Sequence, residues 1–464
     1  MKIRENRTFA QVEVGETAQL TRLCTIDDLY AFASASGNHN PLHLAGYDGD
    51  GDGRPEAVAP ALWPAGLIAA VLGNILPGAG TQTRRVNLSF HVPVIAGDEL
   101  TAGVTVVEKL ADGDLRCAAE VRRVSDNALI LSGEVQVTPP AKHMAFDSVE
   151  VPGLIVQRHR HFDALIAKAE PLEPMPTAVV APEEPNALGG ALLGYSKDII
   201  TPILVGDPEK IAAAAAALEA DLSGIEVIEA TSHEVAAHKA VDLVVEGRAQ
   251  TLMKGHLHTD VLLHAVLRRE RGLRTSRRLS HVFVMDVPGF SRPIMVTDAA
   301  VNIAPDLETK ADIVQNAIRL AQSIGIETPK VGVLSAVETI NPHMQSSVDA
   351  ALLSKMAERG QITGGMVDGP LAMDNAVDLN AARTKGITSQ VAGSADILVA
   401  PNIEAGNMVA KQLTYMSHAE AAGIVVGAAA PIILTSRADD DASRLASCAV
   451  AALHAQANKG KIHG

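Results

Sequence analysis

The sequence predicts two unlike architectures in series: an α+β domain in which an antiparallel sheet wraps one buried helix, then an α/β domain of alternating strands and helices. Three observations predict them. Ala57–Thr83 carries no charge, yet Pro64 and Pro77 cut it and leave Ala65–Leu76 as a twelve-residue apolar helix. That length suits a helix buried in its own protein rather than a bilayer span. The β-rich runs Val86–Val94, Glu99–Leu110, Leu115–Ser125 and Ala128–Val137 follow, separated by Gly-Asp or Asp-Asn turns, and supply the wrapping sheet. From about Thr177 onward, short apolar strands alternate with Ala-rich helices, the pattern of a largely parallel sheet covered on both faces.

A chain of 464 residues exceeds one core. Pro139, Pro140, Pro152, Pro171, Pro174 and Pro176 surround a single helical stretch, His161–Ala169, which marks a connection. The predicted boundaries are 1–140 for the first domain, 141–176 for the linker and 177–464 for the second domain. The latter's strand candidates are Ile200–Gly206, Gly224–Ala230, Gln250–Gly255, His281–Val287, Pro293–Ala299, Lys330–Ala336, Ala395–Ala400 and Ile424–Ala428. His281–Val287 and Pro293–Ala299 are joined only by Pro-Gly-Phe-Ser-Arg-Pro, so they form an antiparallel hairpin within a mixed sheet split into two subdomains. A plain dinucleotide-binding fold is excluded, since no GxGxxG follows a strand.

The net charge of −15 opposes nucleic-acid binding, which needs clustered cations against phosphates. One local exception is Arg268–Arg278, with six Arg, which reads either as a subsite for a small polyanion, through Arg277 and Arg278, or as a solvated helix end. Cys24, Cys117 and Cys448 lack ligand or disulfide spacing. The N-terminus has no apolar leader, so a cytoplasmic location with no membrane partner is expected.

Phe32–Leu44, FASASGNHNPLHL, resembles the signature of the MaoC-like, R-specific enoyl-CoA hydratases, whose fold is the hot-dog; the resemblance covers roughly residues 10–138. It implies that an Asp and a His activate the water added to an unsaturated thioester. His43 matches the His, but Asn38 stands where the Asp belongs. An amide cannot accept a proton, so the resemblance implies a hydratase weakened by the usual ~10²–10⁴-fold contribution of a general base. His39 is the nearest titratable neighbour. Asn40 and Pro41 also favour a turn, so the motif can persist for shape alone. In Val58–Leu67, Pro60 and Ala61 replace the His-Gly pair that often opens the family's central helix, which puts that oxyanion contact in doubt.

Leu252–Val266 places Lys254 and Gly255 after a strand, with a helix starting near Thr259, an arrangement that attracts anions. Taken with Val296–Lys310, Gly360–Val377, Glu404–Tyr415 and Pro431–Asp440, it resembles the phosphate acetyltransferase and phosphate butyryltransferase family over about residues 160–458. That resemblance implies two α/β subdomains in an isocitrate dehydrogenase-like architecture, and acyl exchange between coenzyme A and inorganic phosphate. Ser436 and Arg437 match its Ser-Arg pair, with Arg437 stabilising developing charge and Ser436 bonding the leaving thiolate. Asp439 is the chosen base, ahead of Asp441; the acetyltransferases' usual Asp position holds Ser443 here. Capping of the following helix is the other reading of these aspartates. Asp298 and Asn302 match TDxAxN; Gly406, Asn407 and Lys411 match GNxxxK. Gly406 also suits a turn, Asn407 a helix cap, and Lys411 a plain surface lysine. Neither Asp368 and Asp374 nor His256, His258 and His264 have metal-ligand spacing, so no metal is expected.

The resemblances imply a two-module acyl-CoA enzyme with no tightly bound cofactor, coenzyme A and phosphate as exchanged substrates, and self-association as a homo-oligomer. A non-catalytic acyl-CoA sensor and a metal- and NAD-dependent decarboxylating dehydrogenase are the alternatives.

Overall fold

Helix starts and stops in the first unit follow local chemistry. Thr25 and Asp28 form a reciprocal capping box at the start of α1 (Ile26–Ser36), and Gly37, at φ 71°, ends it. The computed structural model describes residues 4–45, 47, 57–146, 160–434 and 441–459. It divides into two units, Met1–Val156 and Gln157–Gly464.

In the first unit, short β1 (Arg4–Glu5) precedes β2 (Thr17–Leu23) and α1; α2 (Leu62–Asn74) follows. Then come β3 (Gln82–Phe90), β4 (Glu99–Lys109), β5 (Leu115–Arg123), β6 (Leu129–Thr138) and β7 (Ala145–Phe146), the last pairing with β1. The five long strands form one antiparallel sheet in the order β2-β4-β5-β6-β3. Alternate residues of β4, Leu100, Ala102, Val104 and Val106, turn inward onto Trp63, Leu67, Ile68, Val71 and Leu72 of α2. This is the helix-in-sheet arrangement expected of a hot-dog domain. The helix, however, starts at Leu62 rather than after Pro64, because Pro64 falls in the first turn, where a missing N–H costs no intrahelical bond.

The second unit opens with α3 (Arg160–Ala169), β8 (Met175–Val180), α4 (Pro185–Ser196), β9 (Ile200–Gly206), α5 (Pro208–Ala217), β10 (Glu226–Glu229) and α6 (His233–Val245). β11 (Thr251–Lys254), α7 (Thr259–Val266), β12 (Ser280–Asp286), β13 (Ile294–Thr297), α8 (Leu307–Ser323), β14 (Lys330–Leu334) and α9 (Gln345–Glu358) continue it. β15 (Met366–Leu371), α10 (Met373–Val377), α11 (Leu379–Thr384), β16 (Ile397–Val399), α12 (Ile403–Met416), β17 (Glu420–Val426), β18 (Ile432–Ile433) and α13 (Asp441–Asn458) complete it. The stretch 141–176 thus contains α3 and the start of β8, both packed into this unit: Phe162, Leu165 and Met175 are buried in its core.

The strands form one continuous eleven-stranded sheet, β10-β9-β8-β11-β18-β17-β12-β13-β16-β14-β15, and not one sheet per subdomain. Its left block, β10 to β18, is parallel, as is its right block, β13 to β15. Three antiparallel steps through β17 and β12, which include the expected β12–β13 hairpin, reverse the direction between blocks. One face carries an unbroken core from Leu204 and Val179 through Met253, Ile433, Ile424 and Val282 to Val399 and Val333. On the other face the buried residues form two separate groups, one around Leu252, Leu262 and Val425 and the other around Val296, Leu398 and Leu371. The division foreseen from sequence exists on that face alone. Among the described residues no helix is long and apolar enough to cross a membrane.

Candidate functional site

In the first unit, α1 stops at Gly37 and the chain turns at once into the segment Asn38–His43. Asn38 and His43 are both half-buried. The Asn38 carboxamide oxygen accepts from the Asn40 N–H at 3.3 Å, and the Asn40 oxygen accepts from the Leu42 N–H at 3.1 Å, so successive Asx turns shape the loop. His43 Nδ1 lies 2.7 Å from the Val58 carbonyl oxygen. A carbonyl only accepts, so Nδ1 carries the proton and Nε2 is left as the basic nitrogen. His39 is exposed. The backbone N–H groups of Val58 and Ala59, before α2, already donate to Leu42 and Val94.

In the second unit each parallel block has a point where chain order reverses. β9 and β10 lie on one side of β8 and β11 on the other; likewise β15 and β16 flank β14. Open α/β sheets bind ligands outside the carboxyl ends of strands at such points. Lys254 and Gly255 end β11, and Thr259 starts α7 beyond an exposed His258 that makes no side-chain cap bond. A β-carbon at Gly255 would lie 2.4 Å from the carbonyl oxygens of Val180 and Ala181, so only glycine lets this turn close onto β8.

Asp298 follows β13 and is 2% exposed. Its carboxylate accepts from the N–H groups of Ala300, Val301 and Asn302 at 2.9, 3.0 and 3.1 Å and from Asn302 Nδ2 at 2.5 Å. Asn302 Nδ2 also donates to the Leu279 carbonyl at 2.8 Å. α12 crosses this loop through Gly406, where a β-carbon would sit 2.4 Å from the Asp298 carbonyl oxygen, and Asn407 Nδ2 donates to Ala299 O at 3.3 Å. The helix is capped by Asn402, not Asn407. Val301 packs against the group containing Leu257 and Leu262, as does Leu434, the last described residue before position 435. Both therefore border the same extended buried face, although β13 runs opposite to β11 and β18.

Other expected residues have partners of their own. Lys411 is exposed, its ammonium 5.7 Å from the Tyr415 ring centre. Arg277 pairs with Asp312 of α8 at 3.2 Å, and the Arg278 N–H donates to the same carboxylate at 3.0 Å. Ser436, Arg437 and Asp439 lie outside the described residues. Among the described residues no cluster of three or more His, Cys, Asp or Glu is placed to hold a metal.

Sequence reasoning missed two features. His281 on β12 is 1% exposed, and among the described residues its Nδ1 has no hydrogen-bond partner. Burial pushes its imidazole down to about 4, against the opposing pull of Asp298, so it is neutral at ordinary pH. The signal available was one polar residue inside a strand that otherwise reads as doubly buried. The second is a Glu-His cluster after β8, hidden because β8 was not among the strand candidates and its first two residues fell in the linker.

A family model described as phosphate acetyl/butaryl transferase matches residues 230–452. A phosphate acetyltransferase of Rhizobium meliloti is 56% identical over 294 residues, 63% of this chain and 93% of that protein. The chain belongs to the phosphate acetyl/butyryl transferase family. A phosphate butyryltransferase of Clostridium acetobutylicum is 44% identical over 63% of the chain and 98% of its own length. Family likeness extends to structure: a branched-chain phosphotransacylase from Enterococcus faecalis V583 aligns with 61% of the chain and 99% of its own at 31% identity and a TM-score of 0.53. The first unit lies outside the matched family region. An unliganded R-hydratase, PhaJ1 from Pseudomonas aeruginosa, aligns with 34% of the chain at 29% identity and a TM-score of 0.32; the hot-dog assignment rests on the strand order and the buried helix.

Proposed function

We propose that the second unit exchanges an acyl group between coenzyme A and inorganic phosphate, and that the first is a MaoC-like acyl-thioester module with weakened enoyl-CoA hydratase activity. The observation that carries the first part is the 56% identity to a phosphate acetyltransferase across 93% of that protein. A phosphate oxygen attacks the thioester carbonyl, the Arg437 guanidinium neutralises the oxyanion, and Ser436 bonds the departing thiolate. In reverse, Asp439 takes the thiol proton. Asp298, Asn302, Gly406 and Asn407 form one connected loop-and-helix assembly, with Lys254, Gly255, Thr259, Arg277, Arg278 and Lys411 as the charged and backbone surroundings of coenzyme A and phosphate. The two lobes on one sheet face support an isocitrate dehydrogenase-like division. The dehydrogenase reading is not favoured, because the relatives carry transferase names. No tightly bound cofactor is part of the proposal. A cytoplasmic homo-oligomer is, supported for location by three buried cysteines that are all unpaired.

Release of coenzyme A from acetyl-, propionyl- and butyryl-CoA, with and without phosphate, tests the transferase. Phosphate-dependent release is expected; binding of acyl-CoA with no release would instead favour the sensor. For the first unit, Asn38→Asp is expected to raise crotonyl-CoA hydration by at least ~10²-fold, since a carboxylate restores the missing proton acceptor beside His43. Wild-type turnover already equal to that of the variant would refute the weakening.

A further inference from the structure

Pro185, Gly189, Leu192 and Leu193 of α4 recur at three- and four-residue spacing, so they share one face of the helix. With Leu218 at the end of α5 and Arg444 near the start of α13, that face bounds a groove of about 620 Å³. The size falls within the ~300–1,000 Å³ of small-molecule sites. α4 and α13 pack on the unbroken core face through Leu188, Ala191, Leu445 and Ala446, so the groove lies on the other face of the sheet from the group around Leu257 and Leu262. Two adjacent glycines let its walls approach. A β-carbon at Gly190 would lie 2.6 Å from Cδ of Arg444, so the arginine stem crosses the bare helix backbone there, whereas a β-carbon at Gly189 would meet only Leu218, at an ordinary 3.7 Å.

That stem ends in a cation with little to neutralise it. The Arg444 side chain is 5% exposed, and its guanidinium forms no hydrogen bond among the described residues. Asp441, one turn earlier, comes no closer than 3.9 Å to Nη1, and its own side chain is 84% exposed. Taking a guanidinium out of water is costly unless hydrogen-bonded anions compensate, and a long contact with a solvated carboxylate compensates little. The paired N–H groups of a guanidinium match the two oxygens of a carboxylate, and the three leucines match an alkyl chain. We propose that this groove binds an aliphatic carboxylic acid, with its carboxylate on Arg444 and its chain along Leu192, Leu193 and Leu218. An inorganic anion would use the arginine alone, and an alcohol the leucines alone. The proposal does not rest on the acyl-transfer reading.

Hexanoate titrated calorimetrically into the full chain is expected to bind with a Kd of about 1 mM or tighter, and hexan-1-ol and inorganic phosphate at least about tenfold more weakly. Arg444→Met keeps the stem over Gly190 and drops the charge. It is expected to weaken hexanoate by at least about tenfold while unfolding at no lower urea concentration than wild type, because the charge it removes is poorly compensated. Gly189→Leu, whose β-carbon has room and whose remaining atoms fill the groove, is expected to abolish binding with Arg444 intact. Saturation with butyryl-CoA in the absence of phosphate should leave hexanoate affinity within about twofold; displacement by it would make the groove part of the acyl-transfer site and overturn a separate one. Phosphate binding as tight as hexanoate, no hexanoate binding at about 10 mM, or affinity unchanged in both variants also overturns the proposal. A chain that binds hexanoate in this way but shows no phosphate-dependent release of coenzyme A loses acyl transfer and keeps this site.

Discussion

Replacing Arg437 with alanine is expected to lower kcat for phosphate-dependent release of coenzyme A by about 10²–10³-fold, or ~3–4 kcal/mol, with a smaller change in KM. The reason is the timing of the charge. A thioester carbonyl is nearly neutral in the ground state and becomes an oxyanion as phosphate attacks, so a guanidinium aimed at it stabilises the transition state more than the bound substrate. Lysine at this position keeps the charge but loses the planar, two-pronged donor, and should recover only part of the rate. Arg277→Ala is the contrast: its expected effect falls on the apparent KM for coenzyme A, with kcat within about twofold. Steady-state kinetics of the three variants at saturating phosphate decide the matter; an Arg437→Ala enzyme with unchanged kcat removes the residue from the chemistry.

Much of the fold was legible because its periodicities are local. The uncharged helix stands among alternating strands, and β9 runs over the residues its Val/Ile content marks, Ile200–Gly206. The β12–β13 hairpin was announced by a connection too short for a crossover helix. What escaped depends on long-range pairing. β8 carries Pro176 at its second residue and β15 carries Pro370 at the sheet edge, and neither was among the strand candidates, although β9, with Pro202 at its third residue, was. β18 is two residues long and exists only because β11 and β17 flank it. Continuity of the sheet was likewise invisible, since nothing in the segments before β12 or after β17 shows that their strands become neighbours.

The candidate site divides in the same way. TDxAxN and GNxxxK are separated by about a hundred residues, yet the sequence pattern already grouped them, and Gly406 meets the Asp298 loop directly. No pattern shows that the Asp298 carboxylate spends itself on four donors within its own loop. Asp298 thus shapes the loop, and Asn302 is bound within it, its Nδ2 donating to Asp298 and to the Leu279 carbonyl. Nor does spacing show that Arg277 is tied to Asp312, because α8 is reached only after β13 has crossed the sheet. The Asn38 substitution, by contrast, was fully legible, and the structure adds the tautomer: His43 keeps Nε2 as its basic nitrogen while Asn38 is engaged with its own loop.

The largest stability effect is expected far from any ligand, at Lys310 on α8 and Asp349 on α9. Their side chains are 6% and 5% exposed, the ammonium is 2.6 Å from the carboxylate, and the other carboxylate oxygen accepts from Gln345 Nε2 at 2.7 Å. Asp349→Ala leaves a buried ammonium without its counter-charge and should cost about 3–5 kcal/mol. Lys310→Met with Asp349→Leu removes both charges and fills the space with apolar atoms, so the double variant should recover most of that loss, because the pair's mutual attraction does little more than offset the desolvation of two ions. Urea unfolding at neutral pH checks both, with the transition of the second unit the one expected to move. The distinguishing result is the order of midpoints: wild type and double variant close together, Asp349→Ala well below. If the double variant falls as far as the single one, the pair contributes net attraction after all, and α8 and α9 are held together by charge rather than by the apolar core around Leu353 and Val314.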